Sequence, residues 1–137
     1  MKRFIIALVF AALIFGAASA HAQTVYDRSY STIGYIKDDG TVYDRSYSTL
    51  GYFKGETVYD RSYSTVGYIK SDGTIYDRSY STLGYVKPDG TVYDRSYSTL
   101  GYVKPDGTIY DRSYCTIGYA KGIRKEWAAV FFFFNRF

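Results

Sequence analysis

The chain has 137 residues, with 17 Lys and Arg against 13 Asp and Glu, a formal charge of +4 and 18 Tyr. That length suits one domain. Basic and acidic residues alternate, so the clustered cationic patch a nucleic-acid backbone needs is missing, and no nucleic-acid partner is expected.

Met1, Lys2 and Arg3 precede an apolar run from Phe4 to Ala18. Ala20, His21 and Ala22 then fit the A-x-A rule of signal peptidase. Residues 1–22 therefore read as a signal peptide, cut between Ala22 and Gln23. The apolar run is short for a membrane span. Export to the periplasm, the outer surface or the medium is the expectation. Without Lys2 and Arg3 the charge falls to +2, and the only His leaves with the signal.

Residues 23–122 form a repeat domain. Tyr-Asp-Arg-Ser-Tyr begins at Tyr26, Tyr43, Tyr59, Tyr76, Tyr93 and Tyr110, at spacings of 17, 16, 17, 17 and 17. Such a period means that neighbouring copies bury one another's apolar faces. Between copies, β-branched and aromatic flanks enclose turn formers: Asp38, Asp39 and Gly40, or later Pro88, Asp89 and Gly90. That pattern predicts a β-hairpin with a three-residue loop closed by a left-handed Gly. In the one short copy the turn is Gly55 and Glu56, a two-residue type II′ signal. Lys stays opposite Thr at either kind of tip, so the ladder keeps its register.

This register pairs Ile36 with Val42, Tyr35 with Tyr43, and Gly34 with Asp44. The aliphatic face is expected to be buried and the Tyr face to stack on the neighbouring hairpin. The Asp-Arg-Ser-Tyr-Ser segment is expected to form a corner between hairpins, with Arg28 and its equivalents on Tyr rings or paired with Asp. The five tips lie near Asp39, Gly55, Asp72, Asp89 and Asp106. The leftover first strand (from Thr24) and last strand (from Thr116) are placed to pair and close a ring. The fold class is thus all-β, with tandem hairpins arranged radially; a β-solenoid is the open alternative.

These tandem Gly-x-Val-x-Asp and Ile-Gly-x-Ile elements behind a signal peptide resemble the bacterial family named for a five-fold β-flower. The resemblance covers about 100 residues. It implies radial hairpin petals and brings no catalytic residues. Five petals or six is left open.

Residues 123–137 depart from the repeat. Trp127 leads into Phe131 to Phe134, and the chain ends at Phe137. A short helix with Trp127, Phe131 and Phe134 on one side fits, but four consecutive aromatics favour a strand. The segment is expected to pack on the ring as plug or last strand, or to touch a membrane peripherally.

The same Asp and Arg recur in six copies, whereas catalysis needs unlike groups brought together. No cofactor, metal or enzymatic role is expected. One carboxylate per tip cannot supply the oxygens calcium needs. Cys115 stands where the other copies carry Ser. Recognition remains, with a glycan or a protein as partner at repeated Tyr-rich sites. The candidate residues are Tyr26, Arg28, Tyr43, Arg45, Tyr59, Arg61, Tyr76, Arg78, Tyr93 and Arg95. The leading reading is an exported structural or interaction module. A multivalent carbohydrate-binding module is the alternative, and a small secreted hydrolase a third.

Overall fold

A computed structural model of the chain describes residues 22–134 and residue 137. Most of the expected signal peptide, residues 1–21, lies outside the described residues. Ala22 and Gln23, the expected cleavage pair, open the first strand.

Twelve antiparallel strands close into a barrel. They are β1 (Ala22–Asp27), β2 (Thr32–Lys37), β3 (Thr41–Asp44), β4 (Thr49–Lys54), β5 (Thr57–Asp60), β6 (Thr65–Ile69), β7 (Thr74–Asp77), β8 (Thr82–Val86), β9 (Thr91–Asp94), β10 (Thr99–Val103), β11 (Thr108–Asp111) and β12 (Thr116–Tyr119). The predicted register holds, with Gly34 opposite Asp44, Tyr35 opposite Tyr43 and Ile36 opposite Val42. At the seam, Tyr26 faces Tyr119 and Asp27 faces Gly118. The terminal strands thereby rebuild a sixth copy of the unit that each hairpin makes alone. This closure replaces the solenoid alternative and leaves no free sheet edge.

Both kinds of predicted tip are present. The Gly40 N–H donates to the Lys37 carbonyl at 2.9 Å, and Gly40 takes φ 94°. In the short hairpin Lys54 pairs with Thr57. Gly55 there has φ 57°, the first residue of a type II′ turn.

The connectors are corners between hairpins, as expected, and each is itself a tight hairpin loop. The Tyr47 N–H donates to the Asp44 carbonyl at 3.0 Å, and the Asp44 N–H to the Ser48 carbonyl at 2.9 Å. Arg45, Ser46 and Tyr47 are thus a three-residue hairpin loop of the same build as the tip. Tyr47 fills the left-handed position with φ 65°, and Tyr30, Tyr63, Tyr80, Tyr97 and Tyr114 do the same in their copies. That conformation costs a non-Gly residue about 1–2 kcal/mol. Two devices offset it. The Asp44 carboxylate accepts the N–H of Ser46 at 2.8 Å and of Ser48 at 3.0 Å, and the Tyr47 ring packs on two other Tyr. Tyr47→Ala keeps the strain and loses the rings, whereas Tyr47→Gly loses only the rings. Urea melts should therefore show Tyr47→Ala less stable than Tyr47→Gly by about 1 kcal/mol.

The barrel interior has a definite filling. Val25, Ile36, Val42, Phe53, Val58, Ile69 and their equivalents form a buried apolar ring near the tips. One extra residue bulges every even-numbered strand near the connectors: Leu50, for example, lies between Thr49, opposite Tyr43, and Gly51, opposite Val42. These bulge residues (Ile33, Leu50, Val66, Leu83, Leu100 and Ile117) pack against the core.

Eight strands make a barrel that side chains alone can fill, so twelve leave a lumen. The C-terminal segment occupies it. Helix α1 (Lys125–Ala129) continues into a π-helical turn, Val130–Phe134. Ala128, Ala129 and Val130 are at most 1% exposed. Trp127 stacks on Phe53, ring centroids 5.1 Å apart. The strand expectation for the Phe run is thus overturned, and the plug expectation stands. Aromatic β-preference reflects packing on a pleated surface, and a closed barrel has no edge to extend.

Each phenyl lies against a strand Gly. A Cβ added at Gly34 would meet Phe131 at 3.1 Å, at Gly118 Phe132 at 2.5 Å, at Gly101 Phe133 at 2.6 Å, and at Gly84 Phe134 at 2.7 Å. Successive Phe therefore step around the barrel one two-stranded unit at a time, about 60° each for six units. An α-helix turns about 100° per residue. The wider i→i+5 turn advances less and matches the barrel better.

Candidate functional site

The outer face carries a collar of tyrosine triads. In the unit made by β2 and β3, Tyr35 and Tyr43 sit side by side across the ladder. Tyr47 returns from the connector and lies over both. Its ring stacks on Tyr35 at 4.1 Å and 15°, and tilts against Tyr43 at 5.3 Å. The stack is thus internal to one unit, not between neighbouring hairpins as expected. Left-handed φ is what folds Tyr47 back over its own strands. The six connector Tyr are 51–62% exposed.

A lysine completes most triads. Lys70 Nζ lies 5.2 Å from the Tyr80 ring, Lys87 5.3 Å from Tyr97, Lys104 5.2 Å from Tyr114, and Lys37 5.8 Å from Tyr43. Lys104 and Lys87 also donate to the Tyr114 and Tyr97 hydroxyls at 3.3 and 3.4 Å. The ammonium gains from the ring faces. The Lys70 pKa is raised, first by its hydrogen bond with Tyr80 and then by Glu56.

The acidic residues serve the turns. Asp72 accepts the Thr74 N–H at 3.0 Å, and Asp39, Asp89 and Asp106 repeat this with Thr41, Thr91 and Thr108. The Thr N–H, then the Thr hydroxyl, hold all four carboxyls below their ordinary value of 3.8. A lowered folded pKa adds stability that is fully present above the unfolded value and is lost as pH falls through the folded one. Urea midpoints should therefore drop on the acid side of pH 3.8. Replacing Asp72, Asp89 and Asp106 together by Asn should flatten that limb.

The candidate residues divide between two places. Tyr26, Tyr43, Tyr59, Tyr76 and Tyr93 are strand members of the triads. Arg28, Arg45, Arg61, Arg78 and Arg95 are exposed on the connector loops. None of these Arg forms an ion pair or a ring contact among the described residues, so the expected Arg–Tyr and Arg–Asp partnerships are replaced by Lys–Tyr and Asp–backbone ones. Arg61 instead borders a hollow of about 320 Å3 with Leu50, Asp60, Ser62 and Phe137. The sequence reading missed Tyr30, Tyr47, Tyr63, Tyr80, Tyr97 and Tyr114 as the covering rings. No local signal marked their left-handed conformation, which a Tyr side chain disfavours.

One collar opening lies at the seam. Tyr26, Tyr30, Tyr119, Asp106, Thr108 and Lys121 line a groove of about 400 Å3. Among the described residues no group of three or more His, Cys, Asp or Glu is arranged to hold a metal.

The profile of the 5-fold beta-flower proteins matches residues 22–136. The chain belongs to that family. No curated relative and no solved structure matches it. In this β-flower protein five hairpins and the seam pair give six equivalent units, and the profile match includes the plug as well as the strands.

Proposed function

We propose that this β-flower protein is an exported, non-enzymatic structural or interaction module, with the tyrosine collar as its working surface. One observation carries the reading. In every copy the connector Asp commits an oxygen to two backbone N–H groups of its own loop: Asp60 accepts those of Ser62 and Ser64 at 2.9 and 3.0 Å, and Asp77 those of Ser79 and Ser81 at 2.9 Å each. Carboxylates engaged in holding loops are poorly placed to act as acid or nucleophile. Export rests on the sequence of residues 1–22. A peripheral membrane role would require the Phe run to leave the Gly positions it covers.

Carbohydrate binding is the second reading. Exposed Tyr faces ringed by Lys and Asp, six times over, suit sugar rings and avidity. A glycan array on residues 23–137 separates the two: the structural reading expects silence, and the lectin reading expects a signal that Tyr47→Ala and its equivalents weaken. Asp60→Asn and Asp77→Asn test the hydrolase reading. The module reading expects a lowered melting temperature alone. A hydrolytic activity that these variants abolish with folding intact would overturn it.

A further inference from the structure

The six triads are not alike in their cations. Lys37, Lys70, Lys87 and Lys104 place an ammonium over the Tyr of their own units. The equivalents in the other two units, Lys54 and Lys121, are exposed and reach no ring among the described residues. Local backbone explains both. Lys54 precedes the two-residue turn of Gly55 and Glu56 and pairs with Thr57, across a loop one residue shorter than the other tips. Lys121 lies past the end of β12, where Gly122 at φ 78° turns the chain toward the plug.

The seam triad is therefore built like its siblings, but no ammonium lies over its rings. Tyr30 stacks on Tyr119 at 4.1 Å and tilts on Tyr26 at 5.4 Å. The groove beside these rings is also lined by Asp106, Thr108 and Lys121, and the Lys121 charge acts on Asp106 without the ammonium lying over a ring. We propose that the seam groove binds an organic ammonium group, held over the Tyr26, Tyr30 and Tyr119 rings with Asp106 as its counter-charge. This deepens the reading of the collar as a working surface by naming the chemistry it recognises. Support comes from the molecule itself: where the tether allows, an alkylammonium already occupies this position. The Tyr119 hydroxyl fits the same picture, since desolvation, then the Tyr30 phenol, raises its pKa and no cation lowers it. A lysine side chain or an amino sugar would supply the same group.

The probe is choline, with 3,3-dimethylbutan-1-ol as its uncharged isostere. Both are titrated into residues 23–137 while the Tyr ring signals are followed by NMR. Choline should shift Tyr26, Tyr30 and Tyr119 and leave the Lys-covered Tyr85, Tyr93 and Tyr97 unmoved. It should bind roughly two- to fivefold tighter than the isostere, the range of an exposed cation–π contact. Asp106→Asn keeps the turn acceptor, and so the fold, yet should weaken choline and spare the isostere. Tyr30→Phe should retain binding. Equal affinity for the two probes, no shift at the seam, or equal shifts in all triads would overturn the proposal. Nα-acetyl-lysine amide and glucosamine, run in parallel, identify the natural source of the ammonium. Glycan binding elsewhere on the collar with choline silent would sink this site and leave the module reading standing.

Discussion

A chain ending at Gly122 is expected not to form the barrel. The plug is part of the core, since Ala128, Ala129 and Val130 are at most 1% exposed and Trp127 and Phe131 to Phe134 pack on the cluster around them. Burying one Phe side chain contributes about 1.5–3 kcal/mol. Removing four of them, with Trp127, forfeits up to about 8–15 kcal/mol, comparable with the ~5–15 kcal/mol that holds a whole domain. The lumen of twelve strands would be left wet, and the apolar ring exposed along it. The truncated protein should show no cooperative melt by circular dichroism. A milder variant, Phe133→Ala, should keep the fold and cost about 3 kcal/mol in a urea titration. A truncated barrel that melts within a few degrees of the full chain would refute this account of the interior.

Gly101→Ala should be about as damaging as that truncation of a ring. Its Cβ would stand 2.2 Å from the Tyr110 carbonyl oxygen and 2.6 Å from Phe133. The first neighbour is backbone of the paired strand and cannot swing aside. The second is wedged by the rest of the plug. Overpacking of this kind costs about 3 kcal/mol or more. Gly55→Ala is the control, because nothing lies within 4 Å of its added Cβ. Only the left-handed φ of 57° resists it, at about 1–2 kcal/mol. A double variant, Gly101→Ala with Phe133→Ala, should cost less than the two singles together, since one clash disappears while the carbonyl clash stays. Equal costs at Gly101 and Gly55 would mean that the strand glycines serve turn flexibility and not close approach.

The repeat made the strands legible. Period-two alternation set which face of β2 is buried, and the single deleted residue fell at a tip, so both turn types followed from composition. Ring closure followed from the leftover strands at Thr24 and Thr116. Two features were not legible. The connector Tyr bears a β-favouring side chain, and nothing local announces φ 65° at Tyr47. Its conformation is fixed by the Asp44 hydrogen bonds and by rings brought from two strands. The Phe run reads as a strand for the same reason: propensity describes a residue on a sheet surface, whereas here a lumen of fixed width selects the helix. Six glycines recur at equivalent strand positions, a pattern compatible with a bend or a close approach. The partner that approaches, the aromatic tail, lies up to 100 residues away, and spacing alone could not name it. On the collar, sequence pointed to strand Tyr but not to the covering ones, and assigned their cation to Arg. The Lys one residue beyond each buried aliphatic residue held that place in four units.

The contact between tail and glycines is the centre of this account, and an assigned NOESY spectrum of the intact chain reads it directly. Phenyl protons of Phe131, Phe132, Phe133 and Phe134 should show cross-peaks to the Hα protons of Gly34, Gly118, Gly101 and Gly84 respectively, alongside a Tyr26–Tyr119 contact across the seam. Phenyl rings with cross-peaks only to one another, or to no glycine, would contradict it.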